Sequence, residues 1–490
     1  MIKKIAAFVS ASLIGMAFAG CSAILPQNDL YKQNPNWTLC ENNIFQCGSV
    51  KVPVNWDKPN GETISIALVR KFTNKAGSLL INPGGPGGSG YDFLVNNYSD
   101  LGTKALRDAY TLVSFDPRGV GRSAGIKCLD GADTDHYLYD SNGQVPGSAA
   151  DIKANRAMIG KFDKACKQNS GAVLGHVDTV SAAKDMDVIR AALGESKLNY
   201  LGYSYGTFLG TTYAALFPDK VGRFVLDGAI DPRVSDEASN LNQLIGFDRA
   251  LNNYLKDCLR DTSSCPFNGS LAEAKVSVSK FLNQMETKTL KTSDGRKLTG
   301  ASALTGMIMA LYSNDYWPYL TQAFHDAFKG DGSMFIKLAD FYNDRDATGG
   351  YSSNSLEANI AINCLDKRSD PSPQAMAAQN AKMLAASPIM GRYWQNGALI
   401  CEQWPFPVAK HPADYSAKGA PTIMVVGTTN DPATPFQEAV ALAHEVLAKG
   451  FLVTFKGEGH TAYGRSNECV SGVVDDFLIQ GNLPSKEPVC

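Results

Sequence analysis

Ser204 stands inside Gly202-Tyr203-Ser204-Tyr205-Gly206, a G-x-S-x-G pentapeptide placed between a strand-like run at 198–201 and a helix-like run at 205–217 that Pro218 stops. That is the setting of a nucleophile elbow, in which a serine at a strand-to-helix corner is forced into a tight backbone turn and its Oγ is held out toward substrate. The chain comes so close to itself there that the flanking positions must be glycine. The pattern predicts covalent hydrolysis through an acyl-enzyme on Ser204.

An elbow of this kind works with two backbone N–H donors, one from the residue after the nucleophile and one from the loop after an earlier strand. The strand-like Leu79-Leu80-Ile81-Asn82 runs into Pro83-Gly84-Gly85-Pro86-Gly87-Gly88-Ser89-Gly90, and backbone without side chains can turn its amides inward. The oxyanion donors expected here are the Gly84 or Gly85 amide and the Tyr205 amide. A flexible linker would not be fused to a hydrophobic strand.

The base and acid should follow the nucleophile in the order Ser, Asp, His. Of the six histidines, His460 in Gly457-Glu458-Gly459-His460-Thr461 follows the strand-like run 451–455, where the order places the base. His444 sits inside a helical stretch, and His136, His176, His325 and His411 have no strand immediately before them. None pairs with another at metal-ligand spacing, so no metal site is expected. Asp431, in Thr428-Thr429-Asn430-Asp431-Pro432 after the strand-like run 422–427, is the preferred acid. Asp227, one strand earlier, is the alternative, and its bland reading is a carboxylate that caps the Gly228-Ala229 turn. In this arrangement His460 takes the Ser204 proton and Asp431 holds the imidazole tautomer. No cofactor is needed.

The elements that must carry these residues alternate strand and helix from Gly48 to Pro232, the pattern of a mostly parallel central sheet flanked by helices. One helix is expected to start at Ser181 as N-cap and to stop at Gly194. Strand signals fade between 235 and 413, where runs at 241–259, 271–285, 301–311, 317–328 and 373–386 have helical period; this reads as a helical cap inserted after the sixth strand. Tyr312, Tyr316, Trp317, Tyr319, Tyr393 and Trp394 are expected mostly to pack within that cap. Strand, helix and strand resume near Pro421. The chain of 490 residues exceeds one ordinary domain, and a net charge of −2 with no basic run argues against nucleic-acid binding.

Four segments together resemble the secreted tripeptidyl aminopeptidases, relatives of proline iminopeptidase among the α/β-hydrolases: 82–90, Asp116-Pro117-Arg118-Gly119-Val120-Gly121-Arg122-Ser123, 201–207, and Val225-Leu226-Asp227-Gly228-Ala229-Ile230-Asp231-Pro232. Ala361-Ile362-Asn363-Cys364-Leu365-Asp366 and the stretch 427–435 look like motifs of that family's C-terminal region. The resemblance runs from about Gly48 to the end of the chain, and implies an α/β-hydrolase fold and an exopeptidase acting on peptides with a free N-terminus. It also implies that carboxylates near the cap hold the substrate α-ammonium: Asp366 matches a family motif, and Glu402 is a second candidate by its nearness to Cys401. One departure is Pro83, which stands where proline iminopeptidases usually carry histidine and favours the tripeptidyl branch.

Lys3 and Lys4 precede an apolar run at 5–19 that is too short to span a bilayer and reads as an export signal. Ala17-Phe18-Ala19 fits an ordinary cleavage site, whereas Phe18-Ala19-Gly20-Cys21 reads as a lipobox. Eleven cysteines are present, and lipidation of Cys21 leaves ten that can all pair in an oxidising compartment. Nearest-neighbour pairing would join Cys40 with Cys47, Cys128 with Cys166, Cys258 with Cys265, Cys364 with Cys401, and Cys469 with Cys490. The expected organisation is a lipoprotein-type signal at 1–20, a tether at 21–47, α/β core at 48–234, cap at 235–413 and the rest of the core at 414–490. The body would be exported and held at the cell envelope by lipid alone. Two other functions stay open: a carboxylesterase or lipase using the same triad, and a catalytically silent binding protein on the same scaffold.

Overall fold

Apolar residues fill both faces of the central strands, which is why those strands read as continuous hydrophobic runs rather than alternating ones. Leu80, Phe224, Leu226 and Val425 pack into one core layer, while Leu79, Ile81, Val225, Met424 and Val426 pack into the other. Each such side chain contributes about 1.5–3 kcal/mol on leaving water. A computed structural model describes residues 27–73 and 77–490. The export signal and Cys21 expected from the sequence lie outside the described residues.

The strands are β1 (Thr38–Cys40), β2 (Phe45–Pro53), β3 (Thr63–Lys71), β4 (Ser78–Asn82), β5 (Thr111–Phe115), β6 (Leu198–Tyr203), β7 (Val221–Asp227), β8 (Leu290–Lys291), β9 (Lys297–Leu298), β10 (Ile423–Asn430) and β11 (Gly450–Glu458). Nine of them form one sheet in the order β1-β2-β3-β5-β4-β6-β7-β10-β11. The joins from β1 to β5 are antiparallel, and every join from β5 onward is parallel. This is the α/β-hydrolase architecture. Parallel running brings the carboxyl ends of β4, β6, β7, β10 and β11 to one edge, where open α/β sheets place their sites.

Two expectations about the margins of the sheet need correction. The segment 21–47 is not only a tether, because β1 and the start of β2 lie within it and pair antiparallel at the sheet edge, joined by the Cys40–Cys47 disulfide. The cap follows β7, the sixth strand counted from β2, and β1 adds one strand before that count. The helix expected to begin at Ser181 begins earlier, as Thr179–Ala192, because the Asp178 carboxylate accepts the Ser181 N–H at 2.8 Å and is itself the N-cap. The remaining disulfides join Cys128–Cys166, Cys258–Cys265, Cys364–Cys401 and Cys469–Cys490.

Between β7 and β10 the chain forms the helices Asp236–Cys258, Leu271–Thr287, Gly300–Leu311, Trp317–Phe328, Ser333–Tyr342, Ser355–Asp366 and Pro373–Ala386. All but Ser355–Asp366 contribute to a separate core that includes Leu251, Phe281, Met307, Phe324 and Phe335, whereas Ser355–Asp366 buries Ala358, Ile362 and Leu365 in the core shared with the sheet. The start of Leu271–Thr287 is fixed by a capping box in which Ser270 and Glu273 satisfy each other's backbone N–H. Helix Gly131–Tyr139, which lies between β5 and β6, adds Tyr139 to this core, so 235–413 does not build it alone. Among the described residues no helix is long and apolar enough to cross a membrane.

Asp163, on helix Ala149–Asn169, is buried with neither carboxyl oxygen hydrogen-bonded among the described residues. Burial pushes its carboxyl up to about 7 against the pull of Arg368. The folded value thus lies above the unfolded one, about 3.9, so the folded chain holds the extra proton between them and stability falls as pH rises through that window. Asp163→Asn removes this loss. In urea unfolding, the variant should gain about 2–3 kcal/mol on the wild type between pH 5 and pH 8; an equal difference at both pH values would contradict the assignment.

Candidate active site

Ser204 is held at φ 54°, ψ −127°, between β6 and helix Tyr205–Leu216. A Cβ at Gly202 would lie 2.5 Å from the Gly206 carbonyl oxygen, and one at Gly206 would lie 2.8 Å from the Asn82 carbonyl oxygen. No larger residue fits either position. The Ser204 N–H donates to the Asp227 carbonyl at 2.9 Å, and the Ser204 carbonyl accepts from the Thr207 N–H and Oγ1 at 2.8 and 2.7 Å. The corner is therefore tied at both of its backbone groups.

The glycine loop after β4 lies directly on this corner: a Cβ at Gly84 (φ 95°) would fall 3.0 Å from Ser204 Cβ and 3.0 Å from the Tyr205 nitrogen. The Gly84 N–H is not free to face an oxyanion, however, because it donates to Asn82 Oδ1 at 3.0 Å. Gly85 is the loop amide that remains, and Tyr205, first in its helix, has an N–H with no intrahelical acceptor. Asp116 holds the far end of the loop, accepting the Ser89 hydroxyl at 2.5 Å and the Tyr91 N–H at 3.2 Å. In the same motif Arg118 is wholly buried, with a two-point ion pair to Asp185 and bonds to the carbonyls of Pro53, Val54 and His176.

His460 follows β11, and its Nδ1 lies 2.9 Å from both carboxyl oxygens of Asp431. The Asp431 side chain is fully buried and that of His460 is 12% exposed. Asp431 also accepts the N–H groups of Ala433, Thr434 and Thr461 and the Thr434 hydroxyl, so its orientation is over-determined. A carboxylate at Nδ1 fixes the tautomer that leaves Nε2 as the basic nitrogen. Asp227 does not reach the imidazole: its carboxylate accepts the Ala462 and Tyr463 amides. Ser204 and His460 both abut this tip, since the Asp227 carbonyl takes the Ser204 amide and a Cβ at Gly228 would lie 3.1 Å from His460 Cε1.

The cap touches the site from two sides. The Tyr312 carbonyl accepts the His460 N–H at 2.8 Å, with the two rings 5.6 Å apart. Helix Ser355–Asp366 rests on the glycine loop through Asn359, which donates to the Pro86 carbonyl at 3.0 Å. Tyr316, Trp317, Tyr393 and Trp394 pack against the cap core, whereas Tyr319 is exposed.

The two carboxylates expected to hold a substrate ammonium are both committed elsewhere. Asp366 is buried and accepts the Thr179 N–H at 2.9 Å and hydroxyl at 2.5 Å, with His411 Nε2 at 3.3 Å. Thr179 in turn bonds the Tyr205 hydroxyl, so Asp366 braces the elbow helix from inside the protein. Burial raises its carboxyl, opposed by His411 and Thr179. Glu402 is ion-paired to Arg156 at 2.7 Å on the half-exposed face of helix Ala149–Asn169. Sequence reasoning missed Thr434 and the His411–Asp366 contact. The Asp431-Pro432-Ala433-Thr434 spacing was the available signal for Thr434, because a carboxylate often caps a backbone turn two or three residues on; nothing local marks the other.

Removing the acceptor in Asp366→Ala leaves buried donors unpaired and should cost about 1–3 kcal/mol of stability. Any loss of turnover should fall on kcat. A rise in KM of about tenfold or more, confined to substrates with a free amine and without loss of stability, would instead restore Asp366 as a substrate ligand.

The model of the family described as TAP-like protein matches residues 387–490. Over most of its length the chain is similar to the serine protease Hip1 of Mycobacterium tuberculosis, 37% identical over 94% of this chain and 91% of that one. Carboxylesterase B of the same species is 37% identical over 96% and 91%, and the tripeptidyl aminopeptidase of Streptomyces lividans is 32% identical over 97% and 89%. With these relatives and this architecture, the chain belongs to the TAP-like branch of the α/β-hydrolases, a branch of serine hydrolases.

Proposed function

We propose that the protein is an exported serine exopeptidase that releases short peptides or residues from free N-termini, with Ser204 as nucleophile, His460 as base and Asp431 as acid. The observation that carries the catalytic part is the Asp431 carboxylate at 2.9 Å from His460 Nδ1, beside a serine held at positive φ. His460 Nε2 accepts the Ser204 proton as Oγ attacks the carbonyl carbon. The oxyanion is received by the Tyr205 and Gly85 amides. The imidazolium then protonates the leaving amine, and water repeats the sequence on the acyl-enzyme.

The exopeptidase part is supported by the relative named tripeptidyl aminopeptidase and by a cap that closes on both the histidine loop and the glycine loop. Export is supported by five disulfides, which persist in oxidising compartments. Lipidation of Cys21 remains part of the proposal. The relative named Carboxylesterase B favours a second reading, ester hydrolysis on the same triad.

Ser204→Ala should abolish turnover, and Asp431→Asn should lower kcat about 10³–10⁴-fold through loss of the correct tautomer. A panel of free and N-acetylated peptides and simple esters, read by mass spectrometry, tests the substrate class. The exopeptidase reading expects short N-terminal fragments from free peptides only. Equal cleavage of blocked peptides, or turnover of esters alone, would favour the esterase.

A further inference from the structure

Asp227 ends β7 and is wholly buried, and three loops converge on it. Its backbone carbonyl accepts the Ser204 N–H at 2.9 Å. Its carboxylate accepts the Ala462 N–H at 3.0 Å to each oxygen and the Tyr463 N–H at 2.8 Å. The next residue, Gly228, donates its N–H to the Val426 carbonyl of β10, the strand that leads to Asp431. A Cβ on Gly228 would lie 3.1 Å from both His460 Cε1 and Thr434 Oγ1, so this backbone runs against the imidazole.

We propose that Asp227 is a positioning residue of the hydrolytic site, setting His460 relative to Ser204 through the Ala462 and Tyr463 amides without touching substrate. This rests on the reading of Ser204, His460 and Asp431 given above. The hydrogen bond from Nδ1 to Asp431 fixes one point of the imidazole, and the backbone that carries the ring needs its own fixed point. Burying a carboxylate is costly, and the cost is tolerable only where charge-assisted bonds satisfy it. Here those bonds go to the two residues that immediately follow Thr461. The carbonyl of the same residue holds the nucleophile, so the two partners in proton transfer share one rigid support.

The charged and titratable groups facing Asp227 are Arg465 and His460 from the histidine loop and Tyr203 from β6. Burial pushes the Asp227 carboxyl up to about 6, while the Tyr463 and Ala462 amides and, more weakly, Arg465 and His460 pull it down. Below that pH the group is neutral, the charge-assisted bonds to the loop weaken and turnover falls. The acid limb of activity therefore carries the Asp227 proton in addition to that of the general base.

Asp227→Asn preserves shape and removes charge. Its kcat and KM on a free-amine peptide anilide, and its rate of labelling by a fluorophosphonate per folded molecule, should be followed from pH 5 to pH 9. At pH 8, kcat should fall about 10–100-fold with KM little changed, as expected of misplacement by a fraction of an ångström to one ångström. The acid limb should lose one proton of steepness, and deuterium uptake should quicken at 459–466. A variant that melts earlier but keeps wild-type kcat per labelled serine and an unchanged acid limb would overturn the proposal. If the variant does not fold, the wild-type labelling rate decides: an acid limb of two protons supports the proposal and one of a single proton contradicts it. Ser204→Ala in the same assay separates the premises, since turnover there would remove the site itself, whereas a dead Ser204→Ala beside an unaffected Asp227→Asn would remove only Asp227.

Discussion

A serine with φ 54° is costly for an L-residue by about 1–3 kcal/mol, and the rest of the site is built around keeping it there. Its amide is tied to the Asp227 carbonyl and its carbonyl to Thr207, while Gly202, Gly206 and Gly84 let the strand, the helix and the glycine loop crowd against it. Because β6 is buried on both faces and flanked by parallel neighbours, the corner stands on a rigid base. The same corner that projects the side chain also exposes the first amide of helix Tyr205–Leu216. The proposed nucleophile and one proposed oxyanion donor thus come from one backbone conformation.

The histidine reaches this corner from the edge of the sheet: β10 pairs parallel with β7, and β11, which leads to His460, pairs parallel with β10. Each strand end delivers one component: Asp227 from β7, Asp431 just after β10, His460 just after β11. The cap adds contacts at both flanks, through the Tyr312 carbonyl on His460 and through helix Ser355–Asp366 on the glycine loop. Asn354 links the cap to the core as well, bonding the Gly119 and Ile126 carbonyls and the Gly121 amide. Movement of the cap would therefore be felt by the loops that carry His460 and Gly85.

Much of this was legible in the sequence where the signal is local. The elbow, the glycine loop and the order of Ser204, Asp431 and His460 each follow from what a short stretch of backbone must do, and the parallel sheet follows from unbroken apolar runs between turn residues. What was not legible depends on competition for partners across the fold. Gly84 and Gly85 look equivalent in the chain, but Asn82 Oδ1 claims the Gly84 amide. Asp366 sits in a motif that suggests substrate contact, but Thr179 and His411 enclose it, and Arg156 takes Glu402. The strand Thr38–Cys40 is too short to show a period, and helices Ser333–Tyr342, of 10 residues, and Ser355–Asp366 were not anticipated.

The central claim is that Ser204, His460 and the Tyr205 and Gly85 amides act on one carbonyl. An experimental structure of the protein after reaction with a peptide boronic acid tests it most directly. The account requires boron bonded to Ser204 Oγ, one boronate oxygen within hydrogen-bonding distance of the Tyr205 and Gly85 amides, and His460 still bonded to Asp431. An adduct on another residue, or a boronate oxygen turned away from those amides with His460 displaced from Ser204, would contradict it.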